Sequence, residues 1–253
     1  MNLRQLAQDM RRYFLRVRRA EKQYVIQLMR IARATMDLIK GFEKADRPAD
    51  LYKLESSLEG YAQILEPWAR AVSRRMLADI TRRDQRAWEA LGEQMGRHLR
   101  REIEGAPVGS ELERLQREQI AEIQSIPRAA AEHVRHLANE AMITGGRSVE
   151  IAKHLQGTLG LTEARARMVA RAAVNGASTS LMEVRAKSVG SEGYIWRSSD
   201  DGDVRNDHKR LNGKFIRWSE PPVVDLRTGY RSHAGCNAGC RCWPEVVLPE
   251  EIE

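Results

Sequence analysis

Every cysteine of the chain lies in one short stretch near the C-terminus, HAGCNAGCRCW. Cys240 and Cys242 are two residues apart, so both sulfurs point to the same face if this segment is extended. Cys236 precedes them, and His233 and His208 stand further upstream. Thiolates and imidazoles are the ligands that tetrahedral Zn²⁺ prefers, and three Cys with one His complete a closed structural site. The spacing predicts structural zinc on the three cysteines with either histidine; three reduced, packed thiols are the alternative.

A cluster of aspartates precedes His208 and suggests a second chemistry. Asp200, Asp201, Asp203 and Asp207 crowd one short loop. Carboxylates of this kind could hold a divalent metal, with Asp203 and His208 as the centre of a metal-dependent nuclease. The alternative is a plain turn, because Asp and Gly both favour turns. The chain lacks G-x-x-x-x-G-K-[ST], G-x-S-x-G and H-E-x-x-H, so we interpret the loop as a turn and predict no enzyme.

Long helices must position these residues. Apolar side chains recur in steps of three and four from residue 2 to residue 43, which predicts one long amphipathic helix. The pattern predicts further helices as far as about Lys187, including one from Pro67 to Glu104. A proline suits a first helical turn and a threonine a helix cap, so new helices are expected to begin at Pro127 and after Thr162.

The character of the sequence changes at Gly190. Short runs around Tyr194, Trp196, Phe215 and Trp218 alternate apolar and polar residues and are separated by Asp-Gly and Asn-Gly turn signals. So small a β-containing region needs a metal or a neighbouring domain to be stable. We therefore predict a mainly α fold with a small α+β C-terminal module around the Cys/His cluster. The predicted divisions are 1–110, 111–189 and 190–253.

The charge pattern indicates an anionic neighbour for the first helix. The chain has 42 Lys and Arg against 35 Asp and Glu, a net charge of +7. Much of the excess lies on one face of the first helix. This face could contact DNA phosphates or an acidic partner, or it could simply be solvated. The candidate contact residues are Arg11, Arg12, Arg16, Arg18 and Arg19.

Neither a membrane segment nor a secretory signal is predicted. No stretch approaches the roughly 20 consecutive apolar residues that a membrane helix needs, and the N-terminus, MNLRQLAQDMRRYF, lacks the apolar core of a signal peptide. An odd number of cysteines, three, also argues against a disulfide framework. We expect a protein made in the cytoplasm with reduced thiols.

The combined C-terminal motif resembles the head morphogenesis, or minor capsid, family of tailed phages typified by protein F of phage Mu. The family motif runs from a tryptophan through an aspartate and R-x-x-H-x-x-L-x-G to a terminal C-R-C. The preceding helix, ARARMVARAAV, also matches at Arg171, but Ala172 and Ala173 replace a Thr and a Glu. The resemblance covers about residues 127–247. The matching motif positions are Trp196, Asp201, Arg205, His208, Leu211, Gly213, Cys240, Arg241 and Cys242.

The resemblance implies a virion component that is not an enzyme. Members of the family are incorporated in few copies inside the procapsid, near the portal, where they assist head assembly and DNA packaging or delivery. The implied partners are the portal and other capsid proteins, together with packaged double-stranded DNA bound without sequence preference. The implied location is the inside of the capsid, and the host cytoplasm during assembly. The alternatives are a metal-dependent DNA nuclease and a non-catalytic DNA-binding packaging factor.

Overall fold

The computed structural model describes residues 3–42, 47–92, 101–102, 104–144, 148–199, 202 and 204–249. The helices are α1 (Leu3–Lys40), α2 (Pro48–Ile64), α3 (Glu66–Gly92), α4 (Val108–Thr144), α5 (Ser148–Ser188) and the short α6 (Asn206–Lys209). The strands are β1 (Gly193–Arg197), β2 (Phe215–Arg217), β3 (Val223–Asp225), β4 (Tyr230–Arg231) and β5 (Trp243–Val247). The predicted mainly α fold with a small strand-containing C-terminal module is confirmed.

Two predicted helix starts are wrong. Pro127 lies inside α4, which runs through it without a break. A proline in a helix interior costs one backbone hydrogen bond, and here the burial of Ile126 and Ala130 beside it offsets that cost. Thr162 lies inside α5, where its hydroxyl donates to the carbonyl of Thr158 at 2.8 Å and needs no helix start to be satisfied. The predicted C-terminal end of the third helix lies partly outside the described residues.

The chain divides into two compact units, one of which comprises residues 23–74 and 116–170. Its core holds the apolar face of α2, where Leu51, Leu54 and Leu58 follow the helical step and are fully buried. They pack with Ile39, and with Val134 of α4. Each fully buried leucine contributes about 1.5 to 3 kcal/mol relative to an exposed one. Hydrophobic burial therefore holds this unit together.

The other unit comprises residues 1–22, 75–115 and 171–253, and it contains a buried ion pair. Arg185 Nε donates to Asp84 Oδ2 at 2.6 Å, and the two side chains are 7% and 0% exposed. Asp84 Oδ1 has no hydrogen-bond partner within the described part of the chain. Burial raises the pKa of Asp84 to about 6, although the charge and hydrogen bond of Arg185 act to lower it. The pair joins α3 to the end of α5 inside this unit.

The same unit contains a three-stranded antiparallel sheet in the order β2-β1-β5. Tyr194 of the central strand stands opposite Ile216 and Val246. Alternation along β1 puts Tyr194 and Trp196 on one face, and both are fully buried. β3 and β4 form a separate antiparallel pair. In the described parts of the chain, every helix is too short or too polar to span a bilayer.

Candidate metal centre

Three side chains from the predicted cluster meet in the interior of the C-terminal module. His208 Nδ1 lies 3.4 Å from Cys240 Sγ and 3.7 Å from Cys242 Sγ. All three ligand atoms lie within 4.8 Å of one another. The residues are 2%, 4% and 3% exposed. One imidazole and two thiols therefore form a buried group of three ligand atoms that could hold a metal ion.

The turn that carries His208 is held from both sides. Arg205 precedes α6 and donates its Nη2 to the carbonyl of Ala238 at 2.7 Å, which ties this turn to the cysteine loop. After α6, Gly213 adopts a positive φ of 78° and donates its N–H to the carbonyl of Trp196 at 2.8 Å. The ring of Trp196 meets that of His208 edge-on, with centroids 5.5 Å apart. Because these contacts converge, they fix the position of the imidazole.

The cysteine loop lies directly against α5. Thr179 donates its hydroxyl to the carbonyl of Ala234 at 2.7 Å. The next residue, Gly235, has a φ of 84°, and a Cβ there would lie 2.9 Å from Thr179 Oγ1. Cys240 N then donates to the carbonyl of Asn237 at 2.9 Å and closes a turn that turns its sulfur inward. A side chain at Gly235 would be strained by the positive φ and would be too close to Thr179, so glycine lets the loop approach α5 here.

The two inner thiols are electrostatically coupled. The backbone N–H of Cys242 donates to Cys240 Sγ at 3.4 Å. The hydrogen bond from the Cys242 thiol and the neighbouring His208 hold the pKa of Cys240 below the ordinary thiol value, although burial acts to raise it. The same hydrogen bond and burial raise the pKa of Cys242. One thiolate, the form that binds metal, is therefore favoured in this pair.

The other two predicted ligands, His233 and Cys236, are not part of this group of ligand atoms. His233 Nδ1 lies 3.2 Å from the hydroxyl of Tyr194, and its ring meets that of Trp218 at 5.6 Å. Burial lowers the pKa of His233. Cys236 is half-buried, and desolvation of its thiol raises its pKa to about 12. Of the two histidines that the sequence left open, His208 is the one beside the sulfurs.

The predicted aspartate cluster can be placed only in part. Asp200, Asp201 and Asp203 lie outside the described residues. Asp207 Oδ2 accepts the backbone N–H of Leu226 at 2.9 Å, so this carboxylate braces a neighbouring loop. The nuclease hypothesis required His208 to activate water, but the imidazole is buried and has its Nδ1 against the sulfurs.

A carboxylate that the sequence analysis missed supports the centre. Glu21 of α1 is 6% exposed and accepts from Arg241 Nη2 at 2.8 Å and from Arg171 Nε at 3.3 Å. Asn175 Nδ2 donates to its other oxygen at 3.2 Å. Burial acts to raise the pKa of Glu21, but the hydrogen bonds and charges of these partners together lower it. Since Arg241 stands between Cys240 and Cys242, Glu21 fixes the backbone that carries both sulfurs.

The same network includes Arg171 of α5. Arg171 reaches the carbonyl of Gly239 at 3.5 Å as well as Glu21. The next two residues, Ala172 and Ala173, carry no carboxylate. The carboxylate beside Arg171 comes from α1, about 150 residues earlier in the chain. The one sequence signal was an acidic residue at a position of α1 where the helical step predicts burial.

The predicted basic face of α1 is mostly exposed. Of its five arginines, only Arg18 is half-buried, and its Nη2 lies 3.4 Å from the carbonyl of Ser199. Arg12 pairs with Asp9 at 3.4 Å on the helix surface. Arg11, Arg16 and Arg19 are exposed.

Comparisons with known proteins agree with the motif. Residues 132–244 match the family described as Phage Mu protein F like protein, a range that includes all three members of the candidate metal centre. A protein of Haemophilus influenzae described as uncharacterized is 28% identical over 126 residues, which are 50% of this chain and 27% of that protein. No solved structure matches the chain. The family resemblance inferred from the motif is confirmed.

Proposed function

We propose that this protein is a minor capsid protein for head morphogenesis in a tailed phage or prophage. The premise is that residues 132–244 match the Phage Mu protein F like family. In this proposal a few copies lie inside the head near the portal and assist procapsid assembly and DNA packaging or delivery. The observation that carries it is the position of the motif residues. Those that the structure describes all belong to one small module built around His208, Cys240 and Cys242.

The metal in this proposal is a structural Zn²⁺. Zinc–sulfur and zinc–nitrogen bonds of about 2.3 and 2.1 Å give a tetrahedron whose edges are about 3.5 Å. The separations of His208 Nδ1 from the two sulfurs, 3.4 and 3.7 Å, fit those edges. A bound zinc would supply folding free energy to a module with few core residues. The chain's own residues hold the two cysteine sulfurs and the imidazole in place for it.

We assign no catalytic step to the centre. A nuclease needs a metal or base that reaches substrate and water, whereas the buried His208 ring meets Trp196 edge-on and lies beside two buried sulfurs. None of these contacts favours the nuclease alternative. The metal centre serves instead to join α6 to the cysteine loop, and the module then presents a fixed surface to capsid proteins.

Head assembly tests the proposal. A phage that carries the Cys240→Ser, Cys242→Ser double variant is expected to yield only a small fraction of the wild-type number of complete heads, because the module loses both sulfur ligands. Electron microscopy counts the heads, and an immunoblot of purified particles locates the protein. Cys236→Ser is the matched control, since its sulfur lies outside the group. Normal head yield with the double variant, or absence of the protein from wild-type heads, would refute the proposal.

A further inference from the structure

A cleft of about 580 Å³ lies within the unit that holds the candidate metal centre, and four of its lining residues are arginines. Its volume lies within the range of about 300 to 1,000 Å³ that is typical of small-ligand sites. Arg11 and Arg18 come from α1, Arg197 from β1 and Arg241 from the cysteine loop. So many guanidinium groups around one cleft indicate an anionic ligand.

Arg11 and Arg18, the two arginines of α1 that line the cleft, have donors left for a ligand. Arg197 is held by Glu245 through two bonds of 2.7 and 2.8 Å, and Arg241 is held by Glu21. Arg11 makes no hydrogen bond or ion pair with any other described residue. Arg18 makes one long contact, to a backbone carbonyl at 3.4 Å. The guanidinium groups at this side of the cleft are therefore available to an oxyanion.

The charge of the cleft is positive over the part of the chain that the structure describes. Four arginines and one glutamate line it. Asp200 and Asp201 follow the lining residue Ser199 in the sequence and are outside the described residues, so they do not enter this count.

The rest of the lining suits a flat, polar group. Trp243 is half-buried and lines the cleft, and Phe14 stacks on it with ring centroids 5.5 Å apart and planes 26° from parallel. Ser198, Ser199 and Asn212 add hydroxyl and amide groups. Arginines that bind a phosphate, next to an aromatic ring that can stack on a base, form the usual combination for an unpaired nucleotide.

We infer that this cleft binds one nucleotide unit of a single-stranded nucleic acid, with its phosphate at Arg11 and Arg18 and its base at Trp243. A duplex keeps its bases paired inside and offers the protein mainly phosphates and groove edges, so it cannot fill such a cleft. The inference stands on the cleft alone and does not require the proposed role in head assembly. Of the five arginines predicted to contact DNA or a partner, only Arg11 and Arg18 line the cleft, and Arg12, Arg16 and Arg19 do not.

Fluorescence anisotropy with the full-length protein tests this inference. The probes are a labelled oligothymidylate and a labelled duplex of equal length. The Arg11→Ala, Arg18→Ala variant is expected to bind the single strand about tenfold more weakly at moderate salt, since two phosphate contacts are lost. The Arg12→Ala, Arg19→Ala variant removes the same charge from the same helix outside the cleft. It is expected to bind the strand almost as well as wild type.

The outcomes separate the possible ligands. Equal losses in the two double variants, a duplex bound more tightly than the single strand, or equal displacement by poly-glutamate would overturn the inference. Thymidine monophosphate as a competitor then separates the two sources of the same chemistry. If thymidine monophosphate binds as tightly as the strand, the cleft is a site for a free nucleotide and the inference of a strand is overturned. Weaker binding of thymidine monophosphate than of the strand supports the inference. Thermal melts of each variant establish that the unit remains folded.

Discussion

Replacing Asp84 by alanine is expected to lower the free energy of unfolding by about 3 to 5 kcal/mol at pH 7, because it leaves the guanidinium of Arg185 buried without its counter-charge. The pair is 2.6 Å long and its two side chains are 0% and 7% exposed, so water cannot replace the lost carboxylate. Urea denaturation followed by circular dichroism measures the change.

The matched control is Arg82→Ala, which breaks the surface pair with Asp79. That pair is 3.7 Å long and its arginine is 66% exposed, so the expected loss is below about 1 kcal/mol.

The pH dependence of the free energy of unfolding gives a second readout. Since the folded pKa of Asp84 is raised from 3.8 to about 6, the part of its stabilisation that comes from proton binding is full below pH 3.8 and is lost as the pH rises through about 6, which leaves the ion pair with Arg185 at pH 7. The alanine variant should lack this slope; similar losses in Asp84→Ala and Arg82→Ala would contradict the account.

Replacing Glu21 by alanine is expected to cost about 2 kcal/mol and to weaken metal binding. The substitution leaves Arg241, Arg171 and Asn175 without their shared acceptor. The two arginines are 27% and 31% exposed, so water compensates in part and the cost is below that of a fully buried pair. Arg241 lies between Cys240 and Cys242, so the loss of Glu21 should loosen this loop and a chelator competition assay should show weaker zinc retention. If Glu21 stabilised the fold without supporting the cysteine loop, zinc retention would be unchanged.

Asp9→Ala is the control for Glu21, because it removes a surface carboxylate from the same helix. Its effect on zinc retention should be negligible. The pH dependence has the opposite sign to that of Asp84. The folded pKa of Glu21 is lowered from 4.5, so its contribution is present above pH 4.5 and is lost as the pH falls through its folded pKa. Equal zinc retention in Glu21→Ala and wild type would refute the supporting role.

Local patterns in the sequence predicted the elements and most of the centre. Helical periodicity identified α1, and period-two alternation identified the strand region that holds Trp196. The residue types and spacing around Cys240 and Cys242 indicated a metal-ligand cluster. The two wrong helix starts, at Pro127 and Thr162, arose because tertiary burial and an internal hydroxyl bond outweighed local signals.

What the sequence could not give is long-range pairing. Local spacing does not show that His208 faces the sulfurs while His233 turns to Tyr194, since that choice depends on how α6 and the cysteine loop meet. The pairing of Glu21 with Arg241 joins residues 220 positions apart. Arg11 and Arg18 are distinguished from the other arginines of α1 by the cleft that the C-terminal strands form beside them, and local sequence does not show this cleft.

Zinc content tests the central claim most directly. Elemental analysis of the purified wild-type protein and of the Cys240→Ser, Cys242→Ser variant should find about one zinc per chain in the first and almost none in the second. Cobalt substitution should add a thiolate-to-metal charge-transfer band that the variant lacks. Cys236→Ser should retain the metal, because its sulfur lies outside the group. Wild-type protein that contains no zinc and gives no cobalt–thiolate band would contradict the metal centre and would leave His208, Cys240 and Cys242 as packed side chains.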